Sequence, residues 1–128
     1  MIFITGGEAQ GKRSFAAGVL GAVTFADGGD CQLQELPSAD CITNYHLLVK
    51  RITENGGDPM DYTERLCNER PDIIVIMNEI GCGIVPIEKN ERKWREDTGR
   101  CGCMIAGKSG LVIRMVCGLP AVIKGELP

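Results

Sequence analysis

No long apolar run occurs in this chain. The longest, Ile73 to Met77, falls far short of the roughly 20 residues that span a bilayer, so no membrane partner is expected. The apolar start from Met1 to Ile4 is too short for the hydrophobic region of a signal peptide, and no basic residue precedes it. The expected location is therefore the cytoplasm. Basic charge is also scarce. Against 17 Asp and Glu stand 14 Lys and Arg, a net charge of −3, so the molecule as a whole exerts no electrostatic pull on a nucleic-acid backbone. No nucleic-acid partner is expected, and any anion site has to be local.

Histidine occurs once, at His46, and no Cys-x-x-Cys pair exists. The seven cysteines lie scattered, the closest pair being Cys101 and Cys103, so a four-ligand zinc site would need distant thiols to converge. An odd count without an export signal favours reduced, partly buried thiols that pack as small apolar groups. No metal-ligating residues are assigned.

What is present, 44% apolar and 24% charged side chains in 128 residues, fits one globular core. The expectation is a single domain spanning 1–128. Met1 to Thr5 is β-rich and ends at Gly6-Gly7, after which Phe15, Val19 and Leu20 recur at helical spacing. That is strand, glycine turn, helix. The stretch from Gly21 to Pro71 is less decided. It contains a helix from about Asp40, with Ile42, Tyr45, Leu48, Val49 and Ile52 on one face, ended by Asn55-Gly56-Gly57-Asp58-Pro59. A short helix over about Met60 to Asn68 follows. Ile73 to Met77 reads as a strand buried on both faces, and strand, helix, buried strand is the pattern of an α/β domain. Glu88 to Arg100 carries nine charges of mixed sign in thirteen residues and reads as a helix with a solvated face. Two further strands, Leu111 to Cys117 and Ala121 to Lys124, join through a tight turn into a C-terminal hairpin.

Gly6-Gly7-Glu8-Ala9-Gln10-Gly11-Lys12 matches the first seven positions of the phosphate-binding pattern G-x-x-x-x-G-K-[ST]. Glycines let successive N–H groups turn inward around phosphate oxygens, and Lys12 reaches the outer phosphates. The nucleotide-binding candidates are Gly6, Gly7, Glu8, Ala9, Gln10, Gly11, Lys12, Arg13 and Ser14. The eighth position holds Arg13 where the mechanism assigns a magnesium-binding hydroxyl. Ser14, one residue later, is turned about 100° further round the helix and should point elsewhere. Arg13 can instead set a permanent cation on the phosphates. ATP or GTP is the expected ligand, with magnesium dependence placed in doubt by Arg13. The plain alternative is a glycine turn that only links strand to helix.

From Asn78-Glu79-Ile80-Gly81 through Gly83-Ile84-Val85-Pro86, then Trp94-Arg95-Glu96, Gly99-Arg100 and the closing Gly118-Leu119-Pro120-Ala121-Val122-Ile123-Lys124, the chain resembles the bifunctional adenosylcobinamide kinase and adenosylcobinamide-phosphate guanylyltransferase family of cobalamin biosynthesis. The resemblance covers about Met1 to Leu20 and Asp72 to Gly125. It implies a P-loop NTPase-like, RecA-type α/β fold: a three-layer sandwich with a mainly parallel central sheet. The implied chemistry is phosphorylation of the aminopropanol hydroxyl of a corrinoid, followed by GMP transfer from GTP, in a homo-oligomer. Lys12, Glu79 and Asp40 are the implied catalytic residues. Glu79 stands at the carboxyl end of a central strand, or is a strand-end carboxylate satisfied by a loop. Asp40, in Asp40-Cys41-Ile42-Thr43, resembles a magnesium-directing acid and reads equally as the N-cap of the following helix.

The departures are as informative. The chain is shorter than the family between the first helix and Asp72, the interval where the family carries a guanylylated histidine. His46 sits in Asn44-Tyr45-His46-Leu47-Leu48, unlike that segment, and reads as a packed or surface residue. Gly102 replaces a family asparagine. Guanylyl transfer is therefore not expected. A shortened relative that only binds nucleotide or phosphate is the alternative.

Overall fold

The computed structural model describes residues 1–80 and 88–128. Strand β1 (Ile2–Gly6) leads through the glycine loop into α1 (Lys12–Gly18), followed by two short strands, β2 (Phe25–Asp27) and β3 (Cys41–Thr43). Helices α2 (Tyr45–Glu54) and α3 (Pro59–Glu69) precede β4 (Ile74–Asn78), and α4 (Lys89–Lys108) precedes β5 (Leu111–Val116) and β6 (Leu119–Lys124). The six strands form one sheet in the order β2-β3-β4-β1-β5-β6. All neighbours are parallel except β5 and β6, which make the antiparallel C-terminal hairpin. The mainly parallel sheet and its terminal hairpin agree with the sequence reading and with a P-loop NTPase-like fold.

Strand alternation sends side chains into two cores. Phe3, Val75, Met77 and Val112 pack beneath α2, α3 and α4, while Ile4, Ile74, Ile76, Ile113 and Met115 pack beneath Phe15 and Ala16 of α1. These are the two outer layers of the sandwich. The continuous apolar run of β4 thus reflects burial on both faces. At the sheet edge β6 is exposed throughout, and Pro120 is tolerated there because an edge strand has N–H groups that need no ladder partner. Its turn, Cys117-Gly118, has φ of 51° and 79°, the two-residue geometry that matches strand twist.

The middle of the chain departs from expectation. The helix expected from Asp40 starts at Tyr45 with Asn44 as its cap. Residues 41–43 form β3 instead, too few to show any periodicity. The Arg70 guanidinium fork holds the approach to β3, donating to the carbonyls of Pro37 and Ala39. Helix α3 begins as its signals dictate, with Asp58 accepting from the Met60 N–H at 2.9 Å and Pro59 in the first turn. Helix α4 runs eight residues beyond Arg100. Its buried stripe includes Gly102, where a Cβ would lie 2.8 Å from the Met77 methyl, so glycine there lets the helix settle on β4. Glycine at position 102 is thereby explained by packing. The loop motif Gly81 to Pro86 lies outside the described residues.

The free cysteines described are Cys31, Cys41, Cys67, Cys101, Cys103 and Cys117. Burial pushes the Cys41 thiol up to about 12 and the Cys101 thiol up to about 11, so both are small apolar fillers at neutral pH. Among the described residues no helix is long and apolar enough to cross a membrane. Ile113 is fully buried in the α1-side core, whereas Ile123 is exposed. Ile113→Ala is expected to lose about 2–5 kcal/mol of unfolding free energy in urea titration, and Ile123→Ala less than about 0.5 kcal/mol.

Candidate functional site

Parallel strands bring their carboxyl ends to one edge of the sheet. Gly6 lies in register with Asn78 of β4 and Met115 of β5, and Thr43 with Asp27 of β2. The chain leaves β1 at Gly6 with φ of 147°, where a Cβ would fall 2.6 Å from the Met115 carbonyl oxygen. Only glycine fits that approach. Gly11, at φ 87°, then caps α1 in the left-handed region. Gln10 fastens the loop from outside: its Oε1 accepts from the Cys117 N–H at 2.5 Å, and its carbonyl accepts from the Gly118 N–H at 3.1 Å. The glycine loop and the β5–β6 turn are therefore held to one another.

Lys12 opens α1 and is only 6% exposed. Its ammonium folds over the loop, donating to the carbonyls of Gly7 at 2.5 Å and Gly6 at 3.5 Å. Burial lowers its pKa from the ordinary lysine value, while the charges of Glu79 and Glu8 oppose the shift. Glu79 follows β4, with its N–H on the Gly6 carbonyl at 2.9 Å. Its carboxylate takes a bidentate pair from Arg114, at 2.7 and 3.1 Å. Glu79 thus stands beside Lys12 with both oxygens on a guanidinium.

A cleft of about 260 Å³ lies over this edge, bounded by Glu8 to Ser14 from the loop and by Thr43, Asn44, Ile76 and Asn78 from β3 and β4. Ser14, expected to turn away, borders the cleft. Arg13 also borders it, with its guanidinium stacked 4.4 Å from the centre of the Phe25 ring. Thr43, Asn44 and Asn78 were not assigned to the site by sequence. The one signal for them is their position just at or after the ends of β3 and β4, and β3 itself was unreadable.

Asp40 is not brought to the cleft. It precedes β3, so chain direction puts it at the amino edge of the sheet. There its carboxylate accepts from the N–H groups of Val23 and Thr24 at 2.9 and 3.1 Å. Those bonds hold its pKa below the ordinary carboxylate value. Nor is it the cap of α2, because Asn44 occupies that place with φ of 52°. At the carboxyl edge the acid of this half of the sheet is Asp27, whose carboxylate accepts from the Gly29 N–H at 2.8 Å and the Asn44 amide at 3.1 Å. The first of these is the main reason its pKa is lowered. Among the described residues no group of three or more His, Cys, Asp or Glu is placed to hold a metal ion.

His46 is buried in the first turn of α2. Its Nδ1 accepts from the Asn78 N–H at 3.2 Å and its carbonyl accepts from the Trp94 indole N–H at 2.7 Å. Burial, with the nearby Lys12 charge second, pushes its pKa below the ordinary 6.5. An accepting Nδ1 requires the neutral ring, so the histidine is a packed element of the cleft wall. With the folded-state pKa below the unfolded one, the unfolded chain binds more protons as pH falls under about 6.5. Stability from this group is full above that value and is lost below it. The loss of unfolding free energy between about pH 7.5 and pH 5.5 is expected to be smaller in His46→Asn than in the unaltered chain. Parallel urea titrations check this, and an unchanged loss contradicts it.

The chain matches the model of the family described as cobinamide kinase / cobinamide phosphate guanyltransferase over residues 39–123, which runs from just before β3 into the last strand, β6. No curated protein matches the chain as a relative. The match covers more than half of the 128 residues and includes β3, β4, α4 and the hairpin. By that match the chain belongs to the cobinamide kinase / cobinamide phosphate guanyltransferase family.

Proposed function

We propose that the glycine loop binds the phosphates of ATP or GTP and that the chain phosphorylates cobinamide, without transferring a guanylyl group through His46. Membership of the family gives the coarse function, a nucleotide-using transferase of cobalamin biosynthesis. The observation that carries the finer reading is the buried Lys12 ammonium lying across a glycine loop at the carboxyl edge of a parallel sheet. That edge is where ligands of open α/β sheets gather. Two of the three Lys12 donors rest on loop carbonyls, and the third is left for a phosphate oxygen. Phosphoryl transfer asks little more of a protein than positioning and charge neutralisation, and Lys12 supplies the charge.

Among the described residues, those at the cleft do not make a seat for magnesium. Arg13 holds the position of the usual hydroxyl, Glu79 has both oxygens on Arg114, and Asp40 is at the opposite sheet edge. No step is therefore derived through the metal, and protein-held cations, Lys12 with Arg13 at the cleft margin, are assigned its neutralising part. The same three facts favour a second reading, a relative that binds nucleotide without turnover. The family's homo-oligomeric association and the grouping of 1–128 as one nucleotide-binding domain belong to this proposal as well.

ATP and GTP are expected to bind the purified chain, at least tenfold more weakly in Lys12→Ala, which corresponds to about 1.4 kcal/mol. Removing magnesium is expected to change the affinity little. Equal binding by the variant contradicts the loop assignment, and strong magnesium dependence contradicts the part given to Arg13. A phosphorylation assay with cobinamide then separates the enzyme from the binder. With labelled GTP, no acid-labile label should remain on the protein, and a label that His46→Ala removes would show the histidine to be a nucleophile after all.

A further inference from the structure

We infer that Arg114 is a positioning residue of the phosphate cleft: its guanidinium holds the Glu79 carboxylate away from Lys12, so that the ammonium stays open to an anion. The inference rests on the nucleotide reading above and adds to it a residue outside the glycine motif. Strand order makes the contact possible. β1 lies between β4 and β5, and Arg114 is in register with Thr5, one residue before the chain leaves the sheet at Gly6. It is the exposed position between buried Ile113 and Met115. Its fork reaches across the end of β1 to Glu79, just past β4, with Nε on one carboxylate oxygen at 2.7 Å and Nη2 on the other at 3.1 Å. Exposed ion pairs usually contribute little to stability, but a bidentate fork fixes the plane of a carboxylate as well as its distance. About half of the Arg114 side chain is exposed, so its use is the placement of Glu79 rather than packing.

The Gly6 carbonyl brings the two opposite charges together. It accepts from the Glu79 N–H at 2.9 Å and from the Lys12 ammonium at 3.5 Å, so the backbone of Glu79 and the charge of Lys12 meet on one oxygen. An unrestrained glutamate side chain spans that gap. The attraction is felt already, since Glu79 acts against the fall that burial imposes on the Lys12 pKa. Released from Arg114, the carboxylate would meet the ammonium directly and take the donor that the Gly6 and Gly7 carbonyls leave over. It would also set a negative charge where phosphate oxygens are to lie, and two anions would compete for one cation. Held by Arg114, Glu79 is balanced by a charge of its own, and Lys12 keeps its remaining donor for the ligand. The pair thus acts on affinity for phosphate through a residue that itself need not touch it.

The test is isothermal titration of ATP into the unaltered chain and its variants. Arg114→Ala is expected to weaken ATP binding about tenfold, the scale of one hydrogen bond to a charged group in a partly dry site. Adding Glu79→Gln to that variant removes the competing negative charge and is expected to return the affinity to within about threefold of the unaltered chain. The rescue is what a merely structural role would not give, because a second substitution does not repair a damaged fold. Nor would it restore binding if Arg114 itself touched the phosphates. Arg114→Lys keeps the charge and the stem but not the fork, and it carries the test if the alanine variant does not fold: binding about threefold weaker, again restored by Glu79→Gln. Equal binding by the Arg114 variants and the unaltered chain, or double variants as weak as the single ones, overturns the part given to Arg114. The nucleotide reading then still stands on the Lys12→Ala comparison. Failure of the unaltered chain to bind ATP overturns both.

Discussion

The contact between Gly6 and the Met115 carbonyl is the constraint on which the cleft is built. Because β1 is hydrogen-bonded on both sides, its end cannot shift to make room for a side chain, and the chain has to leave the sheet through a residue without a Cβ. The loop that follows is then fixed at a second point, where Gln10 bonds the Cys117 and Gly118 N–H groups of the hairpin turn. One central strand and one hairpin thereby set the loop, Lys12 and the wall formed by Glu79. The exposed turn of the hairpin, outside the core, has its structural use here.

Charge in the cleft is arranged by engagement. Two carboxylates at the carboxyl edge are committed: Glu79 to Arg114, and Asp27 to the Gly29 N–H and the Asn44 amide. His46 is kept neutral by burial. Lys12 is buried yet faces a cleft, and it rests only on neutral carbonyl oxygens. A chain with net charge −3 thus keeps a local place for an anion, since Coulomb attraction strengthens where water is partly excluded.

Legibility in the sequence followed the length and repetition of each signal. β4 announced itself through five consecutive apolar residues and the glycine loop through its spacing, while Asp58-Pro59, read as the end of one helix, proved to be the start of α3. β2 and β3 were not readable, because three residues carry no periodicity and their stability comes from neighbours in the sheet. Misplacing β3 misplaced Asp40. Read as a magnesium-directing acid or the cap of a helix, it turned out to precede a strand, where its carboxylate ties the approach to β2 to β3 at the far edge. Arg13 was legible as a cleft residue from the motif, whereas Phe25, the ring it stacks on, arrives from another strand and was not.

Local chemistry written into consecutive residues was therefore enough for the strand–glycine loop–helix unit, the buried central strand, the closing hairpin and the family resemblance. Each of these depends on neighbours a few positions apart. Which carboxylate would stand beside Lys12 and that His46 would be neutral behind the loop depend on strand order and helix approach. Those are settled by packing between segments 30 or more residues apart, and no stretch of the chain carries that information alone.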